Sequence, residues 1–196
     1  MQQIYLRKAT LADRDIIMKI INEAKATLKA AGSPQWQDGH PNLTMITEDI
    51  SREIGWVLVI NHQLAGYTAM LLKPEPDYQV ITDGHWQVPD QPYATFHRVA
   101  ISDHFRGQHL SRFMFSNLLT IGISLGFHNF RLDTFKKNVA MQTLAKSFGF
   151  VARGHVEVKD KINPHRIGFE LNLQPKQSPL HHITNDFMAP LTHRQH

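Results

Sequence analysis

Tyr93-Ala-Thr-Phe-His-Arg-Val-Ala-Ile101, a four-residue gap and then Arg106-Gly-Gln-His-Leu-Ser111 form the stretch that decides the fold. The first part alternates like a strand, with Thr95, His97, Val99 and Ile101 expected on one face. The second part opens a helix whose apolar stripe is Leu110, Phe113 or Met114, Leu118, Ile121 and Leu125, closed by Gly126. A strand that passes through a short polar turn into a helix leaves several backbone N–H groups unpaired at the helix start. Those donors and the helix dipole make an anion site suited to a pyrophosphate. Gly107 lets the backbone come close, and Arg106 adds positive charge. On its own the turn is not diagnostic, because many Arg-Gly turns of this kind bind nothing.

Working outward, a strand is expected at Ile4 to Lys8. Thr10-Leu-Ala-Asp13 then reads as a capping box ahead of a helix with Ile16, Ile17, Ile20, Ile21, Ala24 and Leu28 on its buried face. Gly32 and Pro34 end that helix, and a shorter one spans about Thr44 to Ile54. Strands follow at Trp56 to Ile60 and Leu64 to Leu72 across the turn Asn61-His-Gln63. Residues 74–92 form a loop rich in Pro, Asp and Gly. Beyond the central unit come a strand at Phe130 to Thr134, a helix at Val139 to Ser147, and a hairpin of Phe150 to Val158 with Arg166 to Leu173. The expected domain is 1–173, followed by a tail at 174–196 rich in proline and histidine. The fold class is therefore α/β in the broad sense: a mixed sheet flanked by helices.

Composition narrows the function. The chain has 196 residues, 42% hydrophobic and 19% charged, the profile of a single globular domain and not of a disordered segment. No apolar run approaches the length of a membrane span, and the amino terminus lacks the pattern of a secretory signal. The absence of cysteine excludes disulfides, thiolate metal sites and a protein-thiol nucleophile, and it agrees with a reducing cytoplasm. A formal charge of +4, with no basic run carrying interleaved aromatics, suits a small anion and does not point to nucleic acid. The 13 histidines are scattered without ligand spacing, so no metal is expected.

Val99-Ala-Ile101, the gap, Arg106-Gly-Gln-His-Leu-Ser111 and the amphipathic helix together resemble the cofactor motif of the GNAT superfamily of acetyl-CoA-dependent N-acetyltransferases. A second stretch, Asn138-Val-Ala-Met-Gln-Thr-Leu-Ala-Lys-Ser-Phe-Gly-Phe150, is similar to that family's Asn-opened helix ending in Gly-Phe. The element order from Ile4 to Leu173 matches as well. The resemblance implies a central, mostly antiparallel sheet with a splayed gap between the strands at 93–101 and 130–134, where acetyl-CoA lies. Val99, Ala100 and Ile101 would pair with the pantetheine arm through their backbone groups. Backbone N–H groups from Arg106, Gly107, Gln108, His109, Leu110 and Ser111 would hold the pyrophosphate, and Asn138 would sit beside the pantetheine end. The chain has His109 where the family has Gly, and Ser111 where it has Gly or Ala. Both are expected in the first helical turn with ordinary backbone angles. Lys136 and Lys137 read either as contacts for a cofactor phosphate or as plain exposed surface.

Acetyl transfer to an amine needs the neutral nitrogen. With a pKa of about 10.4, that form costs about 4.6 kcal/mol at neutral pH, so a nearby base is expected. His97, two residues before Val99, is the candidate. The stretch Phe96-His-Arg-Val-Ala-Ile101 also looks like the matching strand of arylalkylamine N-acetyltransferases, in which a His serves in proton removal. The alternative is a strand histidine that only packs. Family members commonly carry a Tyr as general acid where this chain has Ala145. Without a cysteine or a Ser triad, direct attack in a ternary complex is expected. Trp36, Tyr78 and Trp86, with the acidic residues of the 74–92 loop, are candidates to attract and stack on a cationic amine; a solvated acidic loop is the plainer reading. The leading expectation is acetylation of a small primary amine. Its rivals are a protein amino terminus or lysine as acceptor, or a non-catalytic acyl-CoA-binding module, and a homodimer is compatible with any of these.

Overall fold

The fold is described from a computed structural model over residues 3–173; the expected tail, 174–196, lies outside the described residues. The strands are β1 (Ile4–Lys8), β2 (Gly55–Ile60), β3 (Gln63–Leu71), β4 (Ala94–Ile101), β5 (Asn129–Thr134), β6 (Val151–Glu157) and β7 (His165–Asn172). The helices are α1 (Arg14–Ala30), α2 (Leu43–Ser51), α3 (Leu110–Ser124) and α4 (Val139–Ser147). The sheet runs β1-β2-β3-β4-β5-β7-β6. All its neighbours are antiparallel except β4 and β5.

Two cores sandwich this sheet. On one side Phe96, Phe130 and Leu132 pack against Met114, Phe115 and Leu118 of α3 and Leu144 of α4. On the other, Val57, Val59, Tyr67 and Ala100 pack against Ile17, Ile20 and Ile21 of α1 and Ile46 and Ile50 of α2. The β2–β3 connection needs two successive left-handed residues, and Asn61 (φ 45°) and His62 (φ 67°) supply them. That is the hairpin geometry whose twist matches the strands.

The entry to α1 is fixed by one carboxylate. Asp13 accepts two bonds from Arg7 (2.7 and 2.8 Å), the Thr10 N–H (2.8 Å) and the Thr10 hydroxyl (2.9 Å). Arg7 foremost, against the opposing effect of burial and with help from Thr10, holds its pKa down at about 2. A carboxyl whose folded-state pKa is depressed stabilises the fold above its unfolded pKa and loses that contribution as pH falls through the folded value. The urea midpoint of the wild type is therefore expected to drop more steeply than that of Asp13→Asn between about pH 4 and pH 2. Parallel midpoint curves for the two proteins would contradict this.

Candidate functional site

Strands β4 and β5 are paired only at Ala94–Phe130 and Thr95–Arg131, and beyond that point they part. The cause lies in β4. Between Tyr67 and Ala69 of β3 the register slips, so that Ala100 faces Tyr67 while His97 faces Ala69. The extra residue is a bulge centred on Arg98, whose φ is 56°. Arg98 is held there by a two-pronged bond to Asp49 of α2 (2.7 Å for each prong), and the Tyr67 hydroxyl donates to the same carboxylate at 2.7 Å. Burial first, then the Asp49 charge, pushes the Tyr67 phenol far above its ordinary pKa. The bulge overturns the expected face alternation. Val99 and Ile101 pack on the α3 side with Phe96, whereas Ala100 packs on the α1 side.

At the end of β4 the chain makes a 3-10 turn, Asp103–Phe105, before α3. Helix α3 begins only at Leu110, so Arg106 to His109 form a loop ahead of it. The expectation of ordinary helical angles at His109 is therefore corrected: it is the residue capping α3, with φ 56° and ψ 23°. A non-glycine residue held there costs about 1 kcal/mol or more. Gly107 is also left-handed, at φ +79°. Among the described residues, no group accepts a bond from the N–H of Gly107, Gln108, His109, Leu110 or Ser111. Five unpaired donors in a row at a helix start suit a diphosphate. Arg106 is tied down by Asp103 (2.5 Å) and by the Thr27 hydroxyl of α1. Leu110 turns its side chain into the core.

Gly107→Ala adds a methyl that meets nothing within 4 Å, so its cost is conformational alone. The free loop of the variant can relax out of this shape and must be returned to it on binding, so a strain of about 1–2 kcal/mol weakens the affinity for CoA by up to roughly 5- to 30-fold. Calorimetric titration of both proteins checks this; equal affinities would refute it.

Between the parted strands lies a cavity of about 710 Å³, lined by Val99, Ala100, Ile101, Arg106, Ser111 and Asn138 toward the phosphate loop. Glu75, Tyr78, His97 and Asp133 line it as one linked cluster, and Trp36 lines it as well. Asn138 caps α4 by accepting from the Met141 N–H (3.2 Å), and its side-chain amide donates to Gln35 Oε1 at 3.3 Å. Gln35 also accepts from the Phe135 N–H (3.4 Å), which fixes the α1–α2 connection to the end of β5. His97 Nε2 lies 2.9 Å from Glu75 Oε2, and Tyr78 packs beside the imidazole with centroids 6.2 Å apart. The Tyr78 hydroxyl donates to Asp133 at 2.7 Å. Complete burial and the Asp133 charge push that phenol well above its ordinary pKa, so Tyr78 is a poor proton donor.

Trp86 is not brought to this cavity. It is 5% exposed in a satellite core with Tyr78, Tyr93 and Val156, its indole N–H donates to the Tyr78 carbonyl at 2.9 Å, and Arg131 stacks on it at 4.3 Å. Ala145 is fully buried in the main core. Asp49, Arg98, Gln35 and Asp133 escaped the sequence reading, and no local motif marks them.

The family model described as the acetyltransferase (GNAT) family matches residues 19–150, and the chain belongs to that family. It is similar to a GNAT-family acetyltransferase from Streptococcus agalactiae 2603, with 34% identity over 87% of this chain and 96% of that one and a TM-score of 0.79. The Salmonella typhimurium protein yncA, solved with acetyl-CoA, has 20% identity over 91% and 98% of the two chains at a TM-score of 0.63. The ribosomal-protein-S18-alanine N-acetyltransferase of Escherichia coli has 14% identity over 92% and 100% at a TM-score of 0.61. These last two similarities show the fold alone. No curated protein matches the chain.

The chain is thus a member of the acetyltransferase (GNAT) family with the GNAT fold. Its cleft fits the cofactor on two counts: the unpaired edge of β4 beyond Thr95, and the free N–H row at 107–111. Among the described residues no group of three or more His, Asp or Glu is placed to hold a metal, and no helix is long and apolar enough to cross a membrane.

Proposed function

We propose that the chain transfers acetyl from acetyl-CoA to a primary amine of a small molecule by direct attack in a ternary complex. The observation that carries this reading is a pair of hydrogen bonds that join three segments beside the acceptor end. The Lys161 N–H donates to Asp38 (3.4 Å), joining the β6–β7 turn to the α1–α2 connection. The Lys159 N–H donates to Asp77 (3.2 Å), joining the same turn to the 74–92 loop. Three segments linked beside the cavity suit a compact acceptor better than a polypeptide.

Acetyl-CoA, when bound, supplies an activated thioester. Val99 to Ile101 would hold its arm by backbone pairing, Gly107 to Ser111 would hold the diphosphate, and Asn138 would stand beside the arm. His97 takes a proton from the acceptor ammonium and passes it to solvent, which gives the neutral amine a route to form at the site; the cost of about 4.6 kcal/mol set by the amine's own pKa stays in the barrier. Trp36 and Tyr78 flank the acceptor, with Glu75, Asp77 and Asp133 as its acidic surroundings. With no acid at Ala145, the thiolate leaves unassisted, which its pKa of about 8.5 permits.

Acetyl-CoA, a panel of small amines and a set of amino-terminal and lysine peptides, followed by free-thiol release, tests the reading. Turnover on at least one small amine and on no peptide is expected. Turnover on peptides alone would favour the protein acceptor, and CoA binding without any turnover would favour a binding module.

A further inference from the structure

We propose that Glu75 is the positioning residue for His97: it fixes the imidazole with its proton on Nε2, so that Nδ1 is the atom that takes the proton from the acceptor. The proposal rests on the reading of His97 as the base.

His97 and Glu75 are two parts of a clamped assembly. The His97 backbone is held on one side by the bulge at Arg98 and on the other by the Thr68 hydroxyl, which donates to its carbonyl at 3.0 Å. Its Nε2 is 2.9 Å from Glu75 Oε2, and the two side chains are only 19% and 17% exposed. The Glu75 backbone is equally fixed. Its N–H donates to the Tyr93 hydroxyl (2.9 Å), and its carbonyl accepts from the Tyr78 N–H (3.0 Å). The loop that carries it is seated on the β6–β7 hairpin. At Gly84 an added Cβ would lie 1.9 Å from the Arg153 carbonyl oxygen, and at Gly168 one would lie 2.8 Å from the Trp86 ring. The carboxylate is therefore preset, as a group that orients a catalytic imidazole must be.

The protonation follows from the partners. Burial pushes the Glu75 carboxyl up, but the hydrogen bond of His97 and its charge when the imidazole is protonated, with the Asp77 N–H and Arg98, bring it to a net value below the ordinary one; beside the neutral imidazole, in mildly alkaline solution, it is still a carboxylate. An ionised carboxylate only accepts, so Nε2 must donate. A neutral imidazole carries one ring proton, which leaves the lone pair on Nδ1. Among the described residues nothing bonds Nδ1, and the ring lines the cavity. In the step itself one N–H bond of the acceptor ammonium breaks, its electron pair stays on nitrogen, and the proton goes to Nδ1. Glu75 keeps its charge throughout and faces the imidazolium that results, the role a buried carboxylate plays behind a catalytic histidine.

Nitrogen-15 NMR of the histidine-labelled full chain without cofactor, in mildly alkaline solution, reads the tautomer directly, with His97→Asn identifying the signal. The wild type is expected to show a protonated Nε2 and a bare Nδ1. Glu75→Leu is expected to give a mixture of tautomers and a kcat lower by roughly 10- to 100-fold, with the KM for acetyl-CoA unchanged within about two-fold. Glu75→Gln, whose carbonyl can still accept from Nε2, is expected to recover part of both. A proton found on Nδ1, or a tautomer and kcat untouched by Glu75→Leu, overturns the proposal while leaving His97 as base. Full turnover in His97→Asn overturns the base assignment itself, and the proposal with it.

Discussion

His97→Ala is expected to lower kcat with a small amine by about 10² to 10⁴-fold, the range a positioned general base contributes. The wild type must draw a proton from an ammonium with a pKa of about 10.4, and of the two imidazoles that line the cavity His97 is the one bonded to Glu75, His40 being bonded to Asp38. The affinity for CoA is expected to hold, since the diphosphate donors at 107–111 are ten or more residues away along the chain. Thiol-release kinetics and calorimetry on the same variant separate the two effects. An unchanged kcat would remove His97 from the mechanism. Equal losses of kcat and CoA binding would mean that the substitution had distorted β4 instead.

The largest stability effect is expected at Asp49, a residue that lines the same cavity. Asp49→Ala strips the partner from Arg98 and from the Tyr67 hydroxyl at once; the side chains of the ion pair are 6% and 14% exposed. Removing one member of a buried ion pair leaves a charge in the interior and costs about 3–5 kcal/mol. The same change should release the left-handed Arg98, because among the described residues both of its side-chain hydrogen bonds go to Asp49. Denaturant unfolding measures the loss, and Tyr67→Phe should cost only about 1 kcal/mol by comparison. A loss under about 1 kcal/mol for Asp49→Ala would show that the bulge does not depend on this network.

The contrast explains which parts of the molecule could be read from sequence. Local patterns were legible: the Thr10–Asp13 box, the turn at Asn61-His-Gln63, the helix Val139–Ser147 opened by Asn138, and the hairpin at the end of the domain. Each of these except the final hairpin depends on residues within about one turn of one another. The β4 bulge was hidden because it is set by Asp49, which is 49 residues away from Arg98. His109 was misplaced because an ordinary residue sits in a left-handed site where a glycine would have announced the geometry. Trp86 looked like a loop aromatic free to stack on an acceptor. The glycine at 168 instead leaves room for its ring against β7, and Arg131 covers it. Glu75 was legible as one of four acidic residues in the loop, but its pairing with His97 across 22 residues was not.

Amide chemical-shift mapping of the labelled chain during a CoA titration tests the central claim most directly. The largest movements are expected at Val99, Ala100 and Ile101 and from Gly107 through Ser111, with little change on the outer strands β1 and β6. No movement at these amides on adding CoA, or movement confined to other parts of the molecule, would contradict the account.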